Sequence, residues 1–546
     1  MKTRRTAGIA ASAIAAALVL AACGGSGDDG GNGSGDGGEG EGAGGGIVSV
    51  NTNEPQNPLI PTHTNENGGG KVITQLFAGL VYYDADGEVH NEVAESIETE
   101  DNQTFTITLE DGWTFSDGSP VTANSFVDAW NYGALASNAQ NNSYFFESIE
   151  GFSYEEDSEL TGLEVQDDLT FTVTLNQPES DFPMRLGYSA YYPLPESAFE
   201  DMEAFGENPI GNGPYMMDGE GAWDHGNSIS LVPNPEYAGD REPQNGGVEF
   251  VIYDNEDSMY NDLLSDNIDI VDNIPASAFA TFEEELGDRA TNEPAATIQV
   301  LNVPEYLDQY AGEAGHLRRQ AISMAINREE ITEAIFNGSR TPAVDFTSPV
   351  IDGWTEDVPG NEVLEYAPDE AADLWQQAEE IEPWGDEPIL IATNTDSDHQ
   401  AWVEAACNSI RSALDVECQM DGYPTFQEFL DDRDNEAVRG IYRGGWLGDY
   451  PTLSNFLAPI YTEGAGSNDM GYANEEFEQL VSQANAAETP EEANELLIQA
   501  QGVLFEDLPG IPLWYQNTTG GHSTLVDNVE FSWNGDPILY PVTKQE

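Results

Sequence analysis

The sequence predicts a mixed α/β protein with more than one lobe. The chain has 546 residues, which is longer than a single hydrophobic core usually supports. Some short segments alternate apolar and polar residues with the period of a β-strand, and others carry the start signals and apolar spacing of amphipathic helices. A hydrophobic fraction of 39% and an aromatic fraction of 10% supply material for buried cores. We therefore expect two or three folded lobes, not a disordered chain.

The first 22 residues predict a signal peptide. Three basic residues within the first five precede an apolar run over 7–22, which is too short for an ordinary transmembrane helix. The run leads into residues 20–23 (LAAC), which resemble the lipobox of bacterial lipoproteins. This resemblance implies that Cys23 is lipidated and anchors the mature protein to the outer face of the cell membrane. The alternative is an ordinary secretory signal with an incidental cysteine.

Residues 23–46 are expected to form the lipidated cysteine and a flexible linker. Fourteen of the 23 residues from 24 to 46 are glycine. Such a segment cannot bury a core and spans about 25 Å as a flexible coil. The folded body is therefore expected to begin near Ile47, close to a membrane.

Two segments have the strict alternation of strands with one buried face. They are residues 104–109 (TFTITL) and residues 169–175 (LTFTVTL). The side chains predicted to face the core are Phe105, Ile107, Leu109, Leu169, Phe171, Val173 and Leu175.

Three helices are predicted from their start and stop signals. Residues 327–330 (NREE) form a capping-box pattern for a helix that ends at Gly338, and another helix precedes it over 316–326. Residues 489–492 (TPEE) place proline at the first position of a third helix, which is followed by an apolar strand over 511–515. The side chains predicted to face inward are Leu317, Ala321, Met324, Ile331, Ala334, Ile335, Ala493, Leu496, Leu497, Ala500 and Leu504.

Cys407 and Cys418 are the two cysteines that remain besides Cys23. Residues 401–414 predict a helix and residues 416–420 the strand after it. A separation of eleven residues suits a disulfide between such elements in an exported protein. The alternative is a pair of buried free thiols.

The charge balance excludes several classes of partner. The chain has 101 acidic residues against 16 basic ones, a net charge of −85. Nucleic-acid binding needs clustered cations to neutralise phosphates, so we expect no nucleic-acid partner. Electrostatic docking to an anionic bilayer is disfavoured for the same reason, which leaves the lipid anchor as the expected membrane contact.

The sequence contains no recognisable catalytic motif. A nucleophile elbow, a zinc-protease HExxH motif and a phosphate-binding loop are all absent from it. Carboxylate pairs carry little information in so acidic a chain, and the six histidines do not have metal-ligand spacing. We therefore expect no enzyme activity, no metal and no cofactor.

Ten short segments follow one another in an order typical of one family. They are residues 75–81 (QLFAGLV), 86–87 (DG), 93–96 (VAES), 113–123 (WTFSDGSPVTA), 209–215 (PIGNGPY), 234–237 (NPEY), 317–321 (LRRQA), 325–328 (AINR), 445–451 (GWLGDYP) and 509–513 (PGIPL). Together they resemble the bacterial extracellular solute-binding proteins of family 5, which serve oligopeptide and dipeptide ABC importers. The resemblance covers essentially all of residues 47–546.

The resemblance implies a periplasmic-binding-protein-like α/β fold with two hinged lobes and an extra subdomain on the first lobe. Ligand is then held between lobes that close over it and is presented to membrane permease subunits with their cytoplasmic ATPases. The family acts mostly as monomers. The implied boundaries are 47–80, 207–300 and 511–546 for lobe I, 81–206 for the extra subdomain and 301–510 for lobe II.

The resemblance also implies which residues bind ligand. The family uses the acid of the GWxxD segment for the α-amino group of a peptide, and Asp449 occupies that position; a buried ammonium needs such a partner. Trp446 and Leu447 would form the wall beside it, with core packing as the alternative for Trp446. Arg443 matches a family arginine and would capture a carboxylate or backbone, or orient Asp449; its alternative is a structural ion pair.

Three further positions carry over from the family with weaker support from the residues themselves. Asn65 and Glu66 lie where the first lobe of the family touches ligand, although the spacing after Pro58 is longer here. Tyr144 is carried over in the same way. An ordinary role in a loop or core is the alternative for all three.

The function implied is capture of peptides for an ABC importer. The alternatives are the same fold with a non-peptide solute such as a metal chelate, an oligosaccharide or an opine; a lipid-anchored secreted hydrolase; and an adhesion module. The family does not require the acidity, which we interpret as adaptation of the surface to high salt. After loss of the signal peptide, Lys71 is the only lysine before Lys544.

Overall fold

The structure is a computed structural model that describes residues 45–395 and 399–545. The predicted signal peptide, Cys23 and all of the predicted linker up to residue 44 lie outside the described residues. The described residues form one compact unit.

The described residues contain strands of two to thirteen residues. In chain order the strands are β1 Val48–Thr52, β2 Val81–Tyr83, β3 Val89–Asn91, β4 Ala94–Thr99, β5 Thr104–Leu109, β6 Leu163–Asp167, β7 Thr170–Thr174, β8 Tyr215–Met217, β9 Trp223–Asp224, β10 Ser228–Pro233, β11 Val248–Ile252, β12 Ile270–Val271, β13 Ala290–Asn302, β14 Arg340–Pro342, β15 Ile389–Asn394, β16 Cys418–Tyr423, β17 Ile441–Leu447, β18 Gly510–His522, β19 Val526–Asp527, β20 Glu530–Phe531, β21 Pro537–Ile538 and β22 Thr543–Lys544.

The described residues also contain α-helices of four to eighteen residues. The α-helices are α1 Asn67–Leu76, α2 Ala123–Ala134, α3 Phe182–Arg185, α4 Met202–Glu207, α5 Glu256–Leu264, α6 Phe282–Leu286, α7 Gly312–Ala325, α8 Arg328–Phe336, α9 Pro368–Ile381, α10 His399–Leu414, α11 Phe426–Asp434, α12 Leu453–Tyr461, α13 Glu475–Asn485 and α14 Pro490–Asp507. The fold is therefore mixed α/β, as the sequence predicts.

The largest sheet is mixed and has twelve strands. Its continuous order is β16-β15-β17-β13-β18-β12-β1-β11-β10-β8, while β14 pairs with β18 and β9 pairs with β10. The antiparallel strands β13 and β18, thirteen residues each, stand in the middle of this order. A separate antiparallel sheet has the order β4-β5-β7-β6.

Two large hydrophobic cores lie toward the two ends of the large sheet. The first core takes most of its buried side chains from residues 48–250 and 526–542, and the second from residues 296–515. Strand β1 buries Val48 and Val50 in the first core, whereas β15 buries Ile389 and Ile391 in the second. Residues of both β13 and β18 belong to the second core, and β18 continues to a pairing with β12, next to β1 of the first core.

Both strands predicted from alternation are confirmed. Strand β5 covers 104–109 with its three apolar side chains buried, and β7 covers 170–174, one residue shorter at each end than predicted. Phe171, Val173 and Leu175 are fully buried, while Leu169 is half-buried at the edge of the core.

The three helices are confirmed, with one error in the predicted inward face. Helix α14 begins at Pro490 after the Thr489 cap, and α8 begins at Arg328, where the Asn327 side chain accepts a hydrogen bond from the Glu330 amide. Ala334 is exposed, not buried as predicted, because α8 turns Arg328 and its neighbours inward instead. The Arg328 guanidinium is satisfied by backbone carbonyls, which lets a charged residue occupy an inward position.

The apolar strand predicted over 511–515 is the first part of the longer strand β18. Pro512 lies inside it, opposite Val300, where the register with β13 shifts. A proline is tolerated at such an irregularity because the ladder hydrogen bond it would need is already interrupted.

Cys407 of α10 and Cys418 of β16 are joined by a disulfide, with their Cα atoms 5.1 Å apart. The helix and strand that carry them match the predicted elements closely. Within the described residues, no helix has both the length and the apolar character needed to cross a bilayer.

Candidate functional site

A large cavity of about 950 Å³ lies between the two cores. Tyr144 and Arg185 line it from the side of the first core, and Trp446 and Thr462 from the side of the second. Asp449 lies on its wall as well. We call this space the large cavity.

A second space of about 320 Å³, which we call the small cavity, adjoins the large one. Asn65, Glu66 and Leu447 line it, and Asp449 again lies on its wall. Because Asp449 borders both spaces, it marks the point where they meet.

Asp449 is a largely enclosed carboxylate with few partners. Its Oδ2 accepts one hydrogen bond, 3.3 Å long, from the side-chain amide of Asn455. It forms no salt bridge with any basic residue that the structure describes. Burial raises the pKa of Asp449 to about 6, and the hydrogen bond from Asn455 offsets only part of that effect.

The loop that carries Asp449 is fixed to the start of α12. Thr452 caps that helix by accepting a hydrogen bond from the Asn455 amide, and Asn455 in turn accepts one from the Asp449 amide at 2.9 Å. Gly448 permits a close approach at this loop, since a Cβ there would lie 3.1 Å from the rings of Phe456 and Trp533. The sequence GWLGDYPT therefore folds so that the carboxylate is held rigidly at the cavity wall.

A basic residue in the large cavity is already neutralised. Arg185 forms salt bridges of 2.8 Å with Glu179 and with Asp181, and its guanidinium lies 5.5 Å from the centre of the Tyr450 ring. One cation thus balances two acids, so this group adds no positive charge with which to satisfy Asp449. The wall has an excess of negative charge and suits a bound cation.

Aromatic side chains cover the cavity wall near Asp449. The rings of Tyr144 and Phe145 have centroids 4.4 Å apart, and Phe145 stacks on Tyr188 at 4.2 Å. Burial, followed by the negative charge of Asp449, raises the pKa of both Tyr144 and Tyr188. These phenols therefore remain neutral, and they offer flat surface and hydroxyl groups to a ligand.

Trp446, Leu447 and Asp449 lie on one segment, and each of them lines at least one of the two cavities. The Trp446 indole lines the large cavity and donates a 3.0 Å hydrogen bond to Asn455. Leu447 is 51% exposed, which is unusual for a large apolar side chain, and lines the small cavity.

Asn65 and Glu66 lie at the small cavity, but both are engaged in local structure. Glu66 caps α1 by accepting hydrogen bonds from the Gly69 amide at 3.1 Å. The side chain of Asn65 accepts a hydrogen bond from Asn141 at 3.3 Å. Tyr144, 41% exposed, lies at the large cavity.

Arg443 lies away from the other predicted residues. It lines neither cavity; its guanidinium donates to Asn394 at 3.1 Å and lies 4.6 Å from the centre of the Phe426 ring.

Sequence reasoning missed several residues of this site. Arg185, Glu179 and Tyr188 come from segments far from 445–451, and no local signal marks them. Asn455 could have been found, because a threonine followed three residues later by a polar side chain is typical of a helix start.

One group of described residues has the side-chain geometry for a metal ion, namely Asp84, Glu88 and His90. It lies on the β2–β3 hairpin, where His90 Nε2 is 2.8 Å from Asp84 Oδ2. These residues line neither cavity, and acidic groups at exposed turns are common without a metal.

The comparison with known families points to one group of proteins. The model of the bacterial extracellular solute-binding proteins, family 5 (middle region), matches residues 88–468. The chain is 26% identical over 483 residues to the oligopeptide-binding protein OppA of Bacillus subtilis, covering 84% of this chain and 86% of that one. It is 25% identical to the periplasmic murein peptide-binding protein MppA of Escherichia coli, covering 82% and 84%.

Solved structures share the fold. The murein tripeptide-binding protein MppA of Escherichia coli superposes with a TM-score of 0.72 at 21% identity, covering 92% of this chain and 99% of that one. The OppA protein of Haemophilus influenzae, in a complex with RPPGFSPFR, gives a TM-score of 0.68 at 23% identity over 92% and 99%.

Proposed function

The chain belongs to family 5 of the bacterial extracellular solute-binding proteins, and from that premise we propose that it captures peptides and delivers them to the permease of an ABC importer. The two cores, which one sheet connects through the long strands β13 and β18, support two lobes that close over a ligand by hinge motion. On this proposal the protein performs no chemistry of its own.

The observation that carries the proposal is the position of Asp449. An enclosed carboxylate without a basic partner is costly, and the cost falls when a cation arrives. The α-ammonium group of a peptide is such a cation, and it can donate up to three hydrogen bonds to the carboxylate and the groups around it. Every peptide with a free amino terminus carries this group, so one fixed acid can serve peptides of many sequences.

The backbone next to Asp449 supports a peptide over other solutes. Strand β17 pairs with β13 along most of its length, but it pairs with β15 only at Ile441 and Tyr442. Among the described residues, 444–447 have no strand partner on that second side. A free strand edge beside an ammonium site can bind the amino-terminal residues of a peptide by their main chain, which leaves the later residues able to cross the face of β13 and β18.

The cavities support a roomy, sequence-tolerant site. Spaces of about 950 Å³ and 320 Å³ exceed what a single amino acid fills, so water can accompany ligand side chains of different size. The neutral tyrosine wall adds contact area without a charge preference.

Calorimetric titration with one tripeptide, in free and in N-acetylated form, tests the proposal. We expect acetylation to weaken binding by about ten- to hundredfold, the value of one charge-assisted contact. Asp449→Asn should bind the two forms with similar, weak affinity, while the exposed control Asp288→Asn should behave as wild type.

Unimpaired binding of the acetylated tripeptide would remove Asp449 from its role. Failure of every peptide to bind, together with a different solute found by native mass spectrometry of protein purified without refolding, would replace peptides by that solute.

We also propose that Cys23 is lipidated and holds the protein on the outer face of the membrane, near the permease. The support is the LAAC sequence alone, since these residues lie outside the described part of the chain. Labelling with a radioactive fatty acid should mark the wild type and not Cys23→Ala.

A further inference from the structure

A third space extends the site away from the large cavity. It has a volume of about 450 Å³, and we call it the polar cavity because asparagine, threonine and glutamine side chains dominate its wall. It shares Lys71, Leu447 and Asp536 with the small cavity. The three spaces thus form a continuous series, in which Asp449 lies where the large and small cavities meet and the polar cavity lies beyond the small one.

The acids of the polar cavity already have partners. Asp272 forms a salt bridge with Lys71, and both side chains are buried. Asp536 accepts a 3.1 Å hydrogen bond from Asn534, and Glu256 accepts one of 2.7 Å from Asn273. Lys71 is therefore committed to Asp272.

Arg340 is the other cation of the polar cavity, and it has no acidic partner among the described residues. Its Nη1 donates a 2.6 Å hydrogen bond to the Ser339 carbonyl, and its guanidinium carbon lies 5.2 Å from the centre of the Phe336 ring. Burial lowers the pKa of Arg340 to about 10, and no neighbouring carboxylate offsets this effect.

The contrast with Arg328 shows what Arg340 lacks. Arg328 is buried and has no salt bridge either, but its guanidinium donates to the carbonyls of Pro512, Ser323 and Leu364. Arg340 makes one such bond, so several of its five N–H donors remain for another acceptor. A carboxylate fits this fork geometry with two parallel hydrogen bonds.

We propose that Arg340 binds a carboxylate of the ligand at the polar cavity, on the far side of the small cavity from the ammonium bound by Asp449. This inference rests on the proposed function and adds the second anchoring residue. The carboxylate comes either from the carboxyl terminus of the peptide or from an acidic side chain near it.

The sheet gives the distance that such a ligand must span. Leu447 pairs with Thr297 of β13, β13 pairs with β18, and Gln516 of β18 pairs with Arg340 of β14. Three strand-to-strand steps of about 4.8 Å place the Leu447 and Arg340 backbones roughly 14 Å apart. Since an extended chain advances about 3.5 Å per residue, a dipeptide is too short to reach both anchors and a tetrapeptide is long enough.

The test compares three forms of one uncharged tetrapeptide by calorimetry: the free acid, the carboxy-terminal amide, and the amide with glutamate at position four. We expect the wild type to bind the amide about ten- to hundredfold more weakly than the acid. Recovery of affinity with the glutamate amide would show that a side-chain carboxylate also serves; no recovery would restrict Arg340 to the terminus. Both results support the proposal.

Variants locate the effect. Arg340→Gln should bind the acid and the amide equally, whereas Arg289→Gln should discriminate as the wild type does. Arg289 is a matched control because it also donates to a single carbonyl, that of His522, and lines none of the three cavities. A dipeptide acid should bind Arg340→Gln and the wild type alike.

Equal binding of the acid, the amide and the glutamate amide by the wild type would overturn the proposal, and this measurement does not depend on how well any variant folds. Discrimination retained by Arg340→Gln, or tighter binding of the uncharged amide than of both carboxylate forms, would overturn it too. If the wild type bound all three forms equally but rejected N-acetylated peptide, the peptide-binding function would stand and only the role of Arg340 would fall.

Discussion

Asp345 and Asp449 are two enclosed aspartates that form no salt bridge with a described basic residue, and they differ in what surrounds them. Asp345 is fully buried; it accepts hydrogen bonds from the Thr347 amide at 3.0 Å and the Tyr515 hydroxyl at 2.6 Å, and the Thr347 hydroxyl donates to it as well. Asp449 accepts one long hydrogen bond from Asn455 and borders two cavities.

The two aspartates differ in how far the protein itself satisfies the buried carboxylate. Hydrogen-bond donors from the protein itself satisfy Asp345, so the carboxylate organises the loop after β14. Asp449 has acceptor capacity left and open space beside it. Burial alone therefore does not indicate a ligand-binding acid. A buried acid indicates ligand binding where it has too few hydrogen-bonding or ionic partners and a cavity adjoins it.

The strongest test of this comparison is the same substitution at both positions. Asp345→Asn places an amide hydrogen against donors, so we expect it to lower the free energy of unfolding by about 2–4 kcal/mol. Asp449→Asn should raise the stability of the ligand-free protein at pH 7 by about 1–3 kcal/mol, because a carboxyl with a folded-state pKa of about 6 is ionised there at a cost. Thermal unfolding without ligand at pH 7 measures both.

The sign at Asp449 follows from proton linkage. The folded state holds the proton more tightly than the unfolded chain, so the stability from this group is present below about pH 4 and is lost as the pH rises through about 6. The increase in the free energy of unfolding caused by Asp449→Asn should accordingly vanish at pH 4. If Asp449→Asn instead lowered the free energy of unfolding at pH 7 as much as Asp345→Asn does, the two aspartates would not differ as we infer.

The next effect is the pH dependence of peptide binding. An ammonium ligand requires ionised Asp449, so binding at low pH must first remove its proton. With a pKa of about 6 in the free protein, affinity should fall about tenfold from pH 7 to pH 5. The peptide amine, which has an ordinary pKa near 8, stays charged across this range.

Titration calorimetry at both pH values in buffers of different ionisation heat would also count the proton released at pH 5. Asp449→Asn should show a flat profile between pH 5 and pH 7. A wild-type profile as flat as that of the variant would mean that Asp449 does not hold the ammonium.

The sequence predicted those parts of this picture that depend on local pattern. The alternation over 104–109 specified β5 and its buried face, and the collinear segments, with GWLGDYP among them, specified the family and Asp449. The prediction that Ala334 faces inward was wrong, because the spacing of apolar residues does not reveal that an arginine can be buried among carbonyls.

The parts of the site that could not be predicted depend on contacts between segments that are far apart in the sequence. Nothing near Arg340 in the sequence shows that every acid of its cavity is committed elsewhere, since Asp272 and Asp536 come from other parts of the chain. Likewise Arg185 belongs to the site only because α3 packs against the segment that follows Asp449.

The smallest expected effect is that of salt on peptide affinity. Its comparison with the effect of salt on the melting temperature separates the enclosed Asp449 from the acids of the surface. Raising sodium chloride from about 0.1 M to 1 M shortens the screening length from about 10 Å to about 3 Å, which weakens repulsion among exposed carboxylates. We expect the melting temperature of the ligand-free protein to rise steeply, as adaptation to high salt implies.

Peptide affinity should change by less than about threefold, since a direct contact between Asp449 and an ammonium inside a cavity is screened little. A tenfold loss of affinity over this range would instead assign capture to the general negative field of the surface, and Asp449→Asn would then share the same salt dependence.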